Sequence, residues 1–426
     1  MSKLDELIQT LCPDGVEYKI LGELGSFYGG LTGKSKEDFT DGNAKFISYM
    51  NVYSNLALDV NMLDRVKVGD NERQNKVQLG DVLFTGSSEN TEECGMSSVL
   101  TTETQEPLYL NSFCFGYRFN DTSMFLPDFS KFLFRSDSLR KQIIRTASGV
   151  TRFNVSKKKM EKVIIPVPPM EVQEEIVRIL DNFTELTAEL TAELTARKKQ
   201  YEYYLNTYFG NNLEETKAIC ISKNIPMKKI SELGTLQRGK RFVKADSVVQ
   251  GFPCIHYGEL YTHYGVWATE SKSFLRPEQV LKLRTASKGD VVIVGAGEND
   301  IDIGVGVAWY GESDVAVHDA CYTFKHNLNP KFISYYLRSR SYHLQIKKYV
   351  SSGKICAISG EGIGQACVPV YSLKEQERIV SILDRFNALC NDISIGLPAE
   401  IEARKKQYEY YRDKLLTFKS KNSEVC

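Results

Sequence analysis

Gly29-Gly30-Leu31-Thr32-Gly33-Lys34-Ser35 is the stretch of this chain closest in type to a phosphate-binding loop. The full pattern needs a glycine five residues before Gly33, and Tyr28 stands there, so the close backbone approach to phosphate is lost. Gly295-Ala296-Gly297 follows an apolar run, as in a dinucleotide site, but Asp300 occupies the third glycine position. Asn329-Pro330-Lys331-Phe332 lacks the second proline expected of an amino-methyltransferase. The ten cysteines never form a C-x-x-C pair, and His256, His263, His318, His326 and His343 form no H-x-x-x-H pair. Closely spaced zinc ligands are therefore missing. These residues argue for a chain that does no chemistry itself.

Cationic segments with interleaved aromatics are the more informative chemistry. Lys131–Lys162 holds ten Lys or Arg against Asp137 and Glu161. Lys331–Gln365 holds Lys331, Arg338, Arg340, Lys347, Lys348 and Lys354 against Glu361. A local excess of this kind neutralises phosphates even when 54 basic and 54 acidic residues cancel over the whole chain. The plainer reading is a solvated helix face. A zero net charge is unusual for a protein that grips nucleic acid alone, so partners are expected to share that task.

The elements that must position these segments come in duplicate. ARKKQYEYY stands unchanged at Ala196–Tyr204 and Ala403–Tyr411, and QEEIVRILDNF (Gln173–Phe183) matches QERIVSILDRF (Gln376–Phe386) at eight of eleven positions. Upstream, Pro166-Val167 faces Pro369-Val370, Glu23–Gly25 recurs at Glu232–Gly234, and Gly80–Asn90 recurs at Gly289–Asn299. Ser148-Gly149 matches Ser352-Gly353. The chain is two copies of a unit of about 205 residues, each a divergent body with a near-identical tail. Matching tails and differing bodies suggest one kind of partner for the tails and different ligands for the bodies.

Each tail follows an extended, proline-containing stretch and then takes on helical periodicity. Ile176, Phe183 and Leu190 share one heptad position, Leu180, Leu194, Tyr201 and Tyr208 another, and Ile379, Phe386 and Ile393 repeat the first. Amphipathic helices of some 35–40 residues are predicted, packed together as a coiled coil to bury both stripes. Ser372 to Glu375 has the spacing of a capping box, and Gly210 that of a helix stop. TAEL occurs in tandem at Thr187–Leu190 and Thr191–Leu194, each copy adding roughly 6 Å of helix. Gly396 and Pro398 predict a break in the second tail.

Composition sets the outer bounds. With 426 residues, 42% hydrophobic and 25% charged, the chain reads as a globular protein of several domains. Its start lacks the pattern of a secretory signal and no apolar run nears the roughly 20 residues that cross a bilayer. A cytoplasmic location with reduced thiols, and no membrane contact, is the expectation.

These residues resemble one family over essentially the whole chain: the specificity subunits of type I restriction–modification systems. Pro166–Val177 and its partner Pro369–Val380 carry the likeness most strongly, and the TAEL repeat looks like that of the type IC subgroup. The resemblance implies an α+β protein with pseudo-two-fold symmetry. Two similar α/β target recognition domains would be separated by a pair of long antiparallel helices. Residues 1–165 would form the first target recognition domain and 166–210 the central conserved helical region. Residues 211–367 would form the second recognition domain and 368–420 the distal conserved region. It implies a non-catalytic chain that reads a bipartite target in double-stranded DNA and docks methyltransferase subunits, two of them, and restriction subunits. S-adenosylmethionine, ATP and Mg2+ would be used on those partner chains, with no cofactor on this one. The competing reading is a coiled-coil adaptor with no role at DNA.

In the family, loops of the recognition domains approach DNA, where Arg suits guanine, Asn or Gln adenine, and Glu the cytosine amino group. Candidates in the first domain are Lys34, Asn51, Ser88, Glu89, Asn90, Arg145, Thr151 and Arg152. In the second they are Lys240, Arg241, Glu259, Glu298, Asn299, Ser352 and Lys354. Glu298 and Asn299 could equally serve as turn residues between strands.

Overall fold

The computed structural model describes residues 2–351, 353–392 and 394–421. Repeated Gly-Asp-Val tripeptides start the central strands of both bodies. Gly80 and Gly289 sit at φ of 83° and 98°, the left-handed region that glycine enters without a Cβ clash. Asp81 and Asp290 close the same turn, accepting the N–H three residues back from Gln78 and Ser287, each at 2.8 Å. The strands that follow, Val82–Thr85 and Val291–Val294, are buried at every residue.

Each of these strands lies inside an equivalent antiparallel sheet. The first sheet runs Gly25–Gly29, Cys114–Phe119, Val82–Thr85, Ser97–Val99. The second runs Gly234–Arg238, Cys321–His326, Val291–Val294, Gly306–Trp309, with Trp267–Ala268 added in parallel at its edge. A further sheet in each body contains one parallel pair, Ala44–Ile47 with Leu108–Leu110 and Phe252–Ile255 with Val315–Val317. Helices Pro127–Leu133 and Asp137–Ile144 recur as Pro330–Tyr336 and Arg340–Ile346. The repeat read from the sequence is thus a repeat of α/β domains.

The extended stretches before the tails are strands. Ile164–Val167 pairs antiparallel with Glu17–Ile20, and Cys367–Pro369 with Met227–Lys229. Met170–Phe209 is then a single helix of 40 residues, stopped at Gly210 with φ of 74°. The distal tail departs from the expected length: it is two helices of 19 residues, Leu373–Asn391 and Leu397–Leu415. The cause is local. Asp392 Oδ1 accepts N–H bonds from Ser394 at 2.8 Å and Ile395 at 3.2 Å. A Cβ on Gly396 would sit 2.6 Å from the carbonyl oxygens of Ala388 and Asp392, so no larger residue fits. Pro398 falls in the first turn of the new helix, where its missing N–H costs nothing. Half of the capping box forms, with Ser372 Oγ accepting the Glu375 N–H at 3.3 Å while the Glu375 carboxylate turns to Arg378 at 2.6 Å. Ile393 lies outside the described residues.

Two compact units result: Met1–Leu190 with Ile401–Cys426, and Thr191–Glu400. The division cuts across the four segments expected from sequence, since each unit holds one recognition body, part of the central helix and part of the distal region. It falls between the two TAEL copies, while the helix continues through them.

The matched tail residues do the same work in both units. Gln173 and Gln376 are wholly buried. Gln173 accepts the Leu126 N–H at 3.0 Å and donates to the Met124 and Pro168 carbonyls, both at 2.9 Å. Gln376 accepts from Asn329 at 2.8 Å and donates to Tyr371 at 2.7 Å. Asp181 receives Lys131 at 2.9 Å, and its counterpart Asp384 receives Lys331 at 2.7 Å. The two lysines stand about one turn apart in their equivalent helices, yet reach the same carboxylate. Ile176, Leu180, Ile379 and Leu383 are fully buried under the domains.

Aromatic stacking explains one further part of the identity. Phe183 stacks on Tyr411 at 5.3 Å in the first unit, and Tyr204 on Phe386 at 5.1 Å in the second. The two Phe are equivalent in the repeat, and so are the two Tyr. Each unit therefore pairs the Phe of one tail with the Tyr of the other, and both motifs must persist in both copies. In the second unit Arg378 also lies 5.8 Å over Tyr208, so the paired helices run antiparallel there.

Candidate nucleic-acid interface

Each buried central strand emerges into a glycine whose N–H is held by the neighbouring loop. Gly86 donates to Phe113 O at 2.7 Å and Gly295 to Ala320 O at 2.8 Å. The next two residues, Ser87–Ser88 and Ala296–Gly297, form a short strand against a hairpin from far along the chain. Ser88 pairs with Phe153 and Ser87 with Asn154; Gly297 pairs with Cys356 and Ala296 with Ala357. Val155 and Ile358 close the arrangement, donating to Gly86 O at 2.9 Å and Gly295 O at 2.8 Å. Sheet pairing then brings the Ser88-Glu89-Asn90 turn beside the 149–152 tip, and the Glu298-Asn299 turn beside the 353–355 tip.

The hairpin register corrects the sequence alignment by one residue. Ser148 opposes Asn154, and Ser351 opposes the equivalent Ala357. Ser148 thus corresponds to Ser351, not Ser352. The first tip is Gly149-Val150-Thr151-Arg152, and the described part of the second is Gly353-Lys354-Ile355.

Of the expected contact residues, Glu89, Arg145, Thr151, Arg152, Lys240, Arg241, Glu298 and Lys354 are exposed. Arg152 is held at the tip's base: Nε donates to Ser87 Oγ at 3.2 Å and the guanidinium lies 5.7 Å over Phe113. Ser88 is half-buried and its Oγ accepts the Asn90 N–H at 3.1 Å. Asn90 and Asn299 are exposed but cap equivalent short helices, accepting N–H bonds from Glu92 at 3.0 Å and Ile301 at 3.1 Å. The turn reading thus describes Asn299, whereas the Glu298 side chain is exposed. Ser352 lies outside the described residues.

Three candidates are consumed inside the domains. Asn51 is fully buried; its amide donates to Asp59 O and Met62 O and accepts from Asp59 N and Asn55, all at 2.8–3.0 Å. No hydrogen-bonding capacity is left for a base. Glu259, at the equivalent place in the second domain, accepts from the His256 N–H at 3.0 Å and from Ser273 Oγ. Lys34 pairs with Glu72 at 2.6 Å and donates to Lys67 O. These are scaffold groups.

The cationic segments divide in the same way. Arg135 donates to the carbonyls of Ser97, Tyr53, Val52 and Asn55, and Arg140 to those of Gly95, Cys94 and Glu92. Burial holds both guanidinium groups well below their usual range, at about 10. Arg338, the counterpart of Arg135, donates to Gly265 O and Gly306 O. Lys157, Lys158, Lys159 and Lys162 remain exposed beside the first hairpin, as do Lys347 and Lys348 beside the second.

Sequence reasoning missed the groups that brace the tips. Phe113 lies some forty positions before Arg152, and nothing in the local sequence links them. His318 likewise stands in no motif. Its Nδ1 accepts the Ala320 N–H at 3.1 Å, as Asn111 Oδ1 accepts that of Phe113 at 2.8 Å. Burial and the adjacent His256 push the His318 imidazole below its ordinary range, which keeps Nδ1 free to accept.

Two diverged α/β domains on one repeated helical frame, each offering a braced hairpin and a turn at the same point, form a two-headed recognition protein. The family described as type I restriction modification DNA specificity domain matches twice, over residues 13–197 and 222–403. The chain belongs to that family. It is similar to a putative type I restriction enzyme specificity subunit of Haemophilus influenzae, 33% identical over 283 residues, covering 64% of this chain and 68% of the relative. It is also similar to the EcoR124I/EcoR124II specificity subunit of Escherichia coli, at 31% over 282 residues, 62% of this chain and 65% of that one. A solved chain from work on assembly and conformational transition of the type I R-M system shares the fold, with a TM-score of 0.61 at 16% identity. That likeness covers 94% of this chain and 97% of the other. The protein is accordingly a DNA specificity subunit, a recognition chain and not a catalytic one, and an adaptor without a DNA role is not favoured. No helix among the described residues is long and apolar enough to cross a membrane.

Proposed function

We propose that each domain reads one half of a bipartite duplex site, the first through the 149–152 tip with Glu89, the second through the 353–355 tip with Glu298. The observation that carries this is the equivalence of the two assemblies. Their backbone bonds to Gly86 and Gly295 correspond, and each sets a Glu beside the tip, while the tip sequences differ at every position. Constant backbone with variable tips suits two heads that read different sequences. Exposed lysines beside each hairpin would supply the phosphate contacts.

Two copies of one methyltransferase chain would dock on the tails. Lys198, Lys199, Glu202 and Tyr203 are exposed, as are the identical Lys405, Lys406, Glu409 and Tyr410. The tyrosines are alike even in exposure, 66% and 62%. Packing inside the chain does not require identity at exposed positions, whereas a shared partner does. The methyltransferase chains would use S-adenosylmethionine. Restriction subunits joining the same complex would use ATP and Mg2+.

Gel-shift titration of the chain assembled with methyltransferase subunits tests the reading, using duplexes enriched from a random pool. A preference for two short half-sites is expected, and Arg152→Glu and Lys354→Glu should each weaken binding at least tenfold. Binding without sequence preference would overturn it.

A further inference from the structure

In the first hairpin tip the Arg152 side chain is turned back toward the domain, whereas the one apolar side chain, Val150, stands exposed. Arg152 is tied to Ser87 Oγ and lies over Phe113. Gly149, at φ of 152°, lets the tip turn tightly. Val150 is 89% exposed. The second tip differs in sequence and order, with Lys354 before Ile355, yet it too keeps one branched apolar side chain outward, at 63% exposure. A single exposed apolar residue needs no explanation on an ordinary surface. Here the same feature stands on the equivalent hairpin tip in two domains whose tip sequences have diverged.

We propose that Val150 and Ile355 are base-reading residues, each recognising the 5-methyl group of a thymine in its own half-site. Thymine alone among the bases presents a methyl group in the major groove. A branched aliphatic side chain gains by covering it and removes water from any other base edge without replacing the hydrogen bond. The neighbouring Glu89 and Glu298, exposed on the adjoining turns, supply polar readout beside the apolar contact. The inference rests on the reading that these tips face DNA.

The test is selection of bound duplexes by the complex assembled with methyltransferase subunits, from two random pools. One pool is synthesised with thymidine and the other with deoxyuridine, which pairs identically but lacks the methyl group. Each half-motif from the thymidine pool should contain one thymine whose preference falls about fourfold in the deoxyuridine pool, the worth of one buried methyl. Val150→Ala should bring the first half-motif to the deoxyuridine level even with thymidine present and leave the second unchanged. Ile355→Ala should do the reverse. Both side chains are exposed, so folding is not at issue. Identical motifs from the two pools, or variants that keep the preference, overturn the inference while bipartite recognition stands. No enrichment from either pool overturns both.

Discussion

Gln376→Ala should unfasten the second recognition domain from its helix. The wild-type side chain is fully buried and serves two backbone groups, the Asn329 N–H at 2.8 Å and the Tyr371 carbonyl at 2.7 Å. Alanine leaves both without partners, at about 1 kcal/mol each, and the small void adds somewhat less, for a loss of about 2–3 kcal/mol. The two tryptophans, Trp267 and Trp309, both lie in the second unit, so their fluorescence reports its unfolding. With a urea slope of about 2 kcal/mol per molar, the midpoint should fall by about 1 M. Gln173→Ala, in the first unit, should shift the helical ellipticity transition and leave the fluorescence transition in place. A midpoint within 0.3 M (roughly 0.6 kcal/mol) of wild type for Gln376→Ala would refute the claim that this glutamine fastens domain to helix.

Asn51→Ala should cost about 2–3 kcal/mol in unfolding free energy, because four internal hydrogen bonds are lost, without altering the selected DNA motif. A changed motif at unchanged stability would restore Asn51 as a reader. The Arg178 guanidinium holds the Glu175 carboxyl at about 2, below its usual 4.5, with Lys3 assisting. A depressed folded value stabilises above the unfolded value and is lost in acid. The stability difference between wild type and Glu175→Gln should therefore be full at neutral pH and fade as pH falls from about 4.5 toward 2; a difference independent of pH would contradict this. A double-mutant cycle on Tyr204 and Phe386, read by tryptophan fluorescence, should return a coupling of about 1 kcal/mol for their stacked rings. Additive losses would show that the rings do not interact.

The duplication was legible because the turns and tails repeat residues that the backbone itself requires. Gly80-Asp81 and Gly289-Asp290 share a left-handed glycine and a turn-closing carboxylate, which other residues cannot supply. Gln173, Asp181 and Phe183 recur because each has the same partner in its own unit. The break at Gly396 was readable from composition, although its cause, three approaching carbonyls, was not. The contact surface was far less legible. A buried Asn51 and an exposed Glu89 are both polar residues in loops, and only the fold determines that one bonds inward. The hairpin register is not legible because a Ser-Gly pair stands at both hairpins, while the ladder to Gly86 and Gly295 makes Ser351, not Ser352, the counterpart of Ser148. Val150 and Ile355 are silent in the sequence because apolar residues in loops carry no periodic signal.

Mapping DNA methylation across the genome of cells that carry this chain with the proposed methyltransferase partner tests the account of two reading domains most directly. The expected result is one motif of two short half-sites with a fixed gap. Deleting Thr191–Leu194 should leave both halves intact and change the gap by one or two base pairs, since roughly 6 Å of helix compares with about 3.4 Å per base pair. A single uninterrupted motif, or half-sites that change identity when only the helix is shortened, would contradict it.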